Sequence, residues 1–303
     1  MRTFFRRGAL LLPAAAVALS GALAPVATAA PSVASCAPAV AATALPAGLP
    51  VLDWSENLGY DAHGNLWVSR LYRNEVQRYD AAGRLTVTVP VEFPGAVRLG
   101  PDGLLYVVYG DAPSSVVRPG GVIRFDPSAA APKPETFVSG FTMPNGAAFD
   151  PAGNLYVATL SGVVMVRPDG VVDTAWSEAV AGLAANGAAM HDGVLYVTAN
   201  GGPLGRVVRI PLAAPADRGT VADLSSPLPG LPDFADDLLV DQAGVLYVTT
   251  LAGQLVRVDP TTGAACAVLN GQPLTAVAAI PGRSDELLAS TEGGTILRIR
   301  LSH

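Results

Sequence analysis

Four oxygen-bearing side chains, Glu56, Asn145, Asn186 and Asp236, stand at one repeated position of this chain. Six times a short apolar run, a Gly- or Asp-marked turn and a second apolar run recur. Counting back five residues from Asp61, Gly100, Asp150, His191, Asp241 and Ile280 reaches Glu56, Gly95, Asn145, Asn186, Asp236 and Thr275. Equivalent positions in repeats that close into a ring share one height on one axis. Two carboxylates and two carboxamides meeting there are hard oxygen donors for a hard dication, and Ca²⁺ takes about six to eight such oxygens. Asp237 adds a further donor beside Asp236. Asn145-Gly146 and Asn186-Gly187 are, taken singly, ordinary turn dipeptides; the shared register of four such residues is what points to a metal. Zinc is disfavoured: the histidines are His63, His191 and His303, and no Cys-x-x-Cys occurs. His63 and His191 fall in first-to-second-strand turns, at the opposite end of the expected ring.

The elements that must hold this ring follow from the repeats. The turn glycines Gly64, Gly103, Gly153, Gly193 and Gly244 are 39, 50, 40 and 51 residues apart, a spacing suited to a four-stranded propeller blade. In the third unit, Gly146–Phe149 reads as the inner strand, Asp150–Gly153 as a hairpin turn and Leu155–Ala158 as the second strand. Val163–Val166 reads as the third strand, and Pro168-Asp-Gly170 turns into a fourth. No helical periodicity is evident in the body of the chain. The expected fold is all-β, a six-bladed β-propeller over residues 30–303. Because the chain ends just after a third strand, the missing outer strand of blade six is expected from the N-terminal segment around Leu49–Leu52, which closes the ring and leaves no open edge.

Residues 1–29 read as a cleaved export signal. Arg2, Arg6 and Arg7 precede the apolar run Ala9–Ala24, and Ala27-Thr28-Ala29 fits a cleavage site. The run is too short, and too interrupted by Pro13 and Pro25, for a membrane span of about 20 residues. The formal charge of −6 falls to about −9 once the three leader arginines leave. That acidic balance excludes nucleic acid, which needs a basic face. Export permits a disulfide between Cys36 and Cys266, two buried free thiols being the alternative. Ring closure brings Cys36 towards the outer strand of blade five, where Cys266 lies.

The pattern resembles the six-bladed calcium-dependent propeller hydrolases: the gluconolactonase/regucalcin family, the diisopropyl fluorophosphatases and the paraoxonases. A Glu opening the first inner strand, an Asn in a Pro-Asn-Gly step and an Asp before a later inner strand are the metal ligands of the gluconolactonase type. These match Glu56, Asn145 in Pro144-Asn145-Gly146, and Asp236. The paraoxonase pattern, with a second Asn and an Asp-Asn pair, is similar to Asn186 and to Asp236 with Asp237, and its terminal disulfide implies pairing of Cys36 with Cys266. Asp237 departs from the pattern, standing where an Asn is expected, and no histidine accompanies the ring.

The resemblance implies a secreted, calcium-dependent lactonase or esterase. In that reading Asp236 or Asp237 serves as general base towards a water. A carboxylate bound directly to a cation is the weaker base, which favours Asp236 as ligand and Asp237 as base. Substrate choice is expected from loops at the metal end (residues 70–73, 109–120, 200–204 and 232–234), with Arg70, Tyr72, Tyr109 and Phe234 as pocket wall. A monomer acting on a small-molecule ester or lactone is expected. The competing readings are a non-catalytic extracellular binding propeller with a structural ion, a phosphoester or phosphofluoridate hydrolase, and a metal-free synthase like strictosidine synthase.

Overall fold

The computed structural model describes residues 34–201, 205–224 and 234–302. The leader, parts of the loops 200–204 and 232–234, and His303 lie outside the described residues. Six antiparallel sheets follow one another along the chain. Blade one is Ser55–Tyr60, Leu66–Arg70, Glu75–Tyr79 and Leu85–Pro90; blade two is Val97–Leu99, Leu105–Tyr109, Gly120–Phe125 and Glu135–Phe141. Blade three is Ala147–Phe149, Leu155–Thr159 and Gly162–Val166; blade four is Ala185–His191, Val194–Ala199, Arg206–Pro211 and Gly219–Asp223. Blade five is Ala235–Val240, Leu246–Thr250, Gln254–Val258 and Ala265–Asn270; blade six is Leu274–Ala279, Glu286–Thr291 and Ile296–Arg300. Successive inner strands touch all the way round, the sixth against the first, so the sheets form a six-bladed β-propeller.

The core is divided among the blade junctions. Each of six apolar clusters joins two neighbouring blades, as where Trp67 and Val76 of blade one meet Leu105, Val107 and Phe125 of blade two. Second strands are therefore covered on both faces, and Leu66–Arg70, Leu155–Thr159 and Leu246–Thr250 are buried throughout. This is why their sequences read as continuous runs rather than as alternations.

Closure occurs earlier in the chain than expected. Val40–Leu45 is the strand that pairs antiparallel with Ile296–Arg300, whereas residues 49–53 form a turn in which Gly48 and Leu49 donate their N–H groups to the carboxylate of Asp53. Val51 has φ 70°, which no strand accommodates. Val40-Ala-Ala-Thr-Ala-Leu45 was hard to see because only Leu45 is buried, so the outer strand carries no apolar alternation. Ala34–Ser35 adds a short parallel strand to the edge of blade five, where Ala34 pairs with Cys266. Cys36 and Cys266 form a disulfide with Cα atoms 5.4 Å apart.

Blade three departs from expectation in its outer element. Past Gly170 the chain makes a single bridge between Val166 and Val172 and then a short helix, Thr174–Ala179, instead of a fourth strand. Asp173 caps this helix by accepting from the Trp176 N–H. Trp176 packs edge-on against Tyr156 with ring centroids 4.9 Å apart, and its indole N–H donates to the Leu212 carbonyl. Six residues are too few to show a helical period, so this element is visible only through its packing.

Candidate functional site

The site stands on an irregularity repeated in every blade. Ser55 pairs with Arg70 and Leu58 with Val68, so Glu56 and Asn57 together face the single residue Ser69. Asn186 and Gly187 likewise face Thr198, Asp236 and Asp237 face Thr249, and Thr275 and Ala276 face Ser290. In blades two and three the same two-against-one arrangement lies just before the strand: Gly95 donates to Val108, which donates back to Ala96, and Asn145 donates to Ala158, which donates back to Gly146. Such bulges re-aim side chains. Here they bury two consecutive side chains, Glu56 with Asn57 and Asp236 with Asp237.

Hydrogen bonds then lock each ring position to the preceding blade. The hydroxyls of Ser69, Thr198, Thr249 and Thr275 donate to the carbonyls of Gly95, Asp236, Thr275 and Ser55. The Ala96 and Gly146 N–H groups donate to the carbonyls of Asn145 and Asn186 at 2.9 and 2.7 Å. All six junctions are bonded at this one level. Gly146 is required there, because a Cβ would stand 2.4 Å from the Asn186 carbonyl oxygen.

The four ring residues meet as two hydrogen-bonded pairs. The Asn145 carboxamide donates to Glu56 Oε1 at 2.8 Å, and the Asn186 carboxamide donates to Asp236 Oδ1 at 2.8 Å. Glu56 Oε2 also accepts from the Trp54 indole at 2.6 Å. Asp111, from the connection between the second and third strands of blade two, completes the first group, its Oδ2 lying 2.9 Å from the same Asn145 nitrogen. Charge joins the two groups. Burial, followed by repulsion from Glu56, Asp237 and Asp111, pushes the Asp236 carboxyl well above the usual carboxylate range. Asp111 is pushed well up by burial and then by the charge of Glu56. Burial also raises Glu56, against the lowering effect of the Asn145 and Trp54 hydrogen bonds.

Asp237 occupies different surroundings from Asp236. Its Oδ2 accepts from Asn57 at 3.0 Å and from Arg98 at 3.3 Å. Arg98 also bonds to the Asn57 side chain and the Ala147 carbonyl, so one guanidinium from blade two touches blades one, three and five. Burial raises the Asp237 carboxyl and the Arg98 charge opposes the rise. Asp237 Oδ1 is buried without a hydrogen-bond partner.

The expected wall residues separate. Tyr72 is exposed and stands edge-on to Trp54, ring centroids 5.5 Å apart; Phe234 is half-buried immediately before its inner strand. Tyr109 adjoins the Asp111 connection and helps line a cavity of about 220 Å³ with Phe93 and Glu92. Arg70 does not belong to a pocket wall. It is buried, and its guanidinium donates to the Asp53 and Gly294 carbonyls and to Gln77, which ties blade one to blade six. Trp54, Asn57, Arg98 and Asp111 join the site from outside the repeated position. For Asn57 the signal was its place beside Glu56, mirroring Asp237 beside Asp236. Arg98 and Asp111 reach the site through folding alone.

Two larger cavities lie away from the ring. One of about 600 Å³ lies between blades six and one and includes Gly64 of the far turn in its lining. One of about 350 Å³ is bounded by the inner strands, with Arg98 the sole charged side chain in its lining. Neither holds the crowded carboxylates, so volume is a poor guide to the chemistry here. Among the described residues no three acidic, histidine or cysteine side chains gather closely enough to hold an ion by themselves. No helix among them is long and apolar enough to cross a membrane.

Propeller proteins of known structure resemble this fold. The calcium-binding protein regucalcin from Agrobacterium tumefaciens superposes with a TM-score of 0.69 at 16% identity, covering 89% of this chain and 96% of that one. A gluconolactonase from Xanthomonas campestris superposes with a TM-score of 0.66 at 17% identity, over 91% of this chain and 99% of that one. A streptogramin B lyase reaches 0.59 at 11% identity, over 87% and 98%. The gluconolactonase/regucalcin type of propeller expected from the residues is thus found among the neighbours, as is a lyase. No protein-family model matches the chain, and no curated protein matches it either.

Proposed function

We propose that this chain is a secreted, calcium-dependent hydrolase of lactones or other esters. The observation that carries the reading is the convergence of Glu56, Asn145, Asn186 and Asp236 at one level, with carboxyl groups crowded enough to be pushed upwards. Such crowding, together with the unpartnered buried oxygen of Asp237, fits a site that takes in positive charge. The four ring side chains would hold a calcium ion, with oxygen donors of the kind that ion prefers. When bound, the ion supplies a Lewis-acid centre for an ester carbonyl and the oxyanion that develops from it.

The chain's own residues supply the rest. Asn145 and Asn186 orient Glu56 and Asp236, and Trp54 fixes the second oxygen of Glu56. Asn57 and Arg98 hold Oδ2 of Asp237, which leaves Oδ1 as the atom to take a proton from water. The disulfide fits an oxidising compartment, in keeping with a leader over residues 1–29.

Purified mature protein assayed on a panel of lactones and aryl esters tests the reading. Activity should vanish with chelator and return with calcium. Turnover that persists in excess chelator sinks the metal role. Calcium binding without turnover of any lactone or ester indicates instead a binding propeller with a structural ion.

A further inference from the structure

At one position of the second strand, five blades carry an aromatic ring directly after a leucine: Trp67, Tyr106, Tyr156, Tyr196 and Tyr247. Blade six has Leu288 there, after Leu287. Each of the five rings is buried in the apolar cluster that joins its blade to the next. The cluster between blades six and one, to which Leu288 belongs, holds no buried ring. The cavity of about 600 Å³ opens at this same junction, with Leu45, Leu66, Ile280 and Leu288 in its lining. The third strand carries the same pattern. In four of the five ring-bearing blades its residue paired with the ring is an arginine: Arg78, Arg124, Arg209 and Arg257. Arg78 lies over the Trp67 ring at 5.7 Å and Arg124 over the Tyr106 ring at 5.9 Å. Arg298 holds that place in blade six, paired with Leu288, so it has no ring from its own blade to cover, and it lines the cavity.

The polar groups of the cavity are uncommitted. Arg298 donates no side-chain hydrogen bond among the described residues; Glu286 lies 3.9 Å from it and is already bonded to Arg300 at 3.1 Å. Tyr60, on the blade-one side, also makes no side-chain hydrogen bond among them. Burial raises its hydroxyl and the charge of Arg298 opposes the rise. Asp80, the one carboxylate in the lining, is paired with Arg84 at 2.7 Å. We propose that this cavity is a binding site for a small aromatic anion, its ring filling the place that Trp67 and the tyrosines fill in the other blades and its carboxylate meeting Arg298 and Tyr60. A guanidinium is attracted both to a ring face and to a carboxylate. An apolar lining with a few convergent polar groups is the usual make-up of a small-molecule pocket. The site includes Gly64 of the far turn, so it lies away from the ring and stands independently of the hydrolase reading.

Calorimetry on the mature protein with naphthalene-2-carboxylate tests this, in chelator so that no calcium competes for the carboxylate. The acid should bind about tenfold more tightly than naphthalene-2-carboxamide, because hydrogen bonds to a charged group are the stronger ones. Leu288→Tyr supplies the missing ring from the chain itself; it should abolish binding and leave the melting temperature unchanged or higher. Arg298→Gln, at a half-exposed position, should reduce the affinity of the acid to that of the amide. Equal affinity for acid and amide overturns the proposal. So does binding that survives Leu288→Tyr in the folded variant, or that Arg298→Gln leaves undiminished.

Discussion

The two ends of the inner strands treat the same side chain in opposite ways. At the turn end of blade one, Asp61 receives N–H groups from His63 and Asn65 on Oδ1, and the Asn65 and Trp67 side chains on Oδ2. Asp150 has an equivalent set from Asn154 and Tyr156. Burial raises the Asp61 carboxyl, but the hydrogen bonds from Asn65 and Trp67 outweigh it and the net shift is downward. Five residues earlier, burial and then the charge of Asp237 raise Glu56, the hydrogen bonds from Asn145 and Trp54 do not outweigh them, and its net shift is upward. The turn carboxylates are finished structures. The ring carboxylates remain incomplete without added charge, which is what a binding site requires.

Breaking the ring should have the largest effect. Glu56→Gln removes one of two ring carboxylates while keeping the shape. It should lower calcium affinity by about 100-fold, since loss of an outer partner alone costs about 10–100-fold, and turnover should fall with it. Calorimetry with calcium and a lactone assay read the two separately; undiminished values in both remove Glu56 from the site.

Arg98→Met comes next, because it leaves Asp237 buried without its cationic partner, with only Asn57 still donating to Oδ2. Loss of one partner of a buried pair destabilises by about 3–5 kcal/mol; the lower end is expected here, since the arginine side chain is 23% exposed. Urea unfolding should show this, and adding Asp237→Asn should restore most of it.

The smallest effect sharpens the contrast in pH dependence. Asp61→Ala leaves the Trp67 indole unpartnered and should cost about 1–3 kcal/mol at neutral pH. The folded pKa of Asp61 is lowered, so its contribution is present above the ordinary carboxylate range and disappears as pH falls through the lowered value. For Asp111 and Asp236 the folded values are raised. The folded chain without calcium then holds more protons than the unfolded chain, and their contribution is lost as pH rises above the ordinary range. Thermal melts in chelator should show Asp236→Asn more stable than wild type at neutral pH, with the gap closing in acid. A constant gap would contradict the crowding.

Much of this was legible because the repeat is chemical as well as geometric. Leu-Trp-Val-Ser69, Leu-Tyr-Val-Thr198 and Leu-Tyr-Val-Thr249 carry both the buried second strand and the hydroxyl that holds the next blade. Counting along equal strands therefore led to Glu56, Asn145, Asn186 and Asp236 at one level. The count took no notice of the bulge, and so it did not separate the surroundings of Asp237 from those of Asp236. The exposed alanines of the closing strand carry no pattern, and a loop-end arginine such as Arg70 reads as solvated although it is buried.

Sequence alone determined the number of blades and the ring positions, since each follows from residue type recurring at a fixed interval. Tertiary structure decided which groups act on one another. Arg98 and Asp111 come from blade two, yet their partners lie in blades one, three and five. Such contacts depend on the angle between packed sheets, and no local interval encodes it.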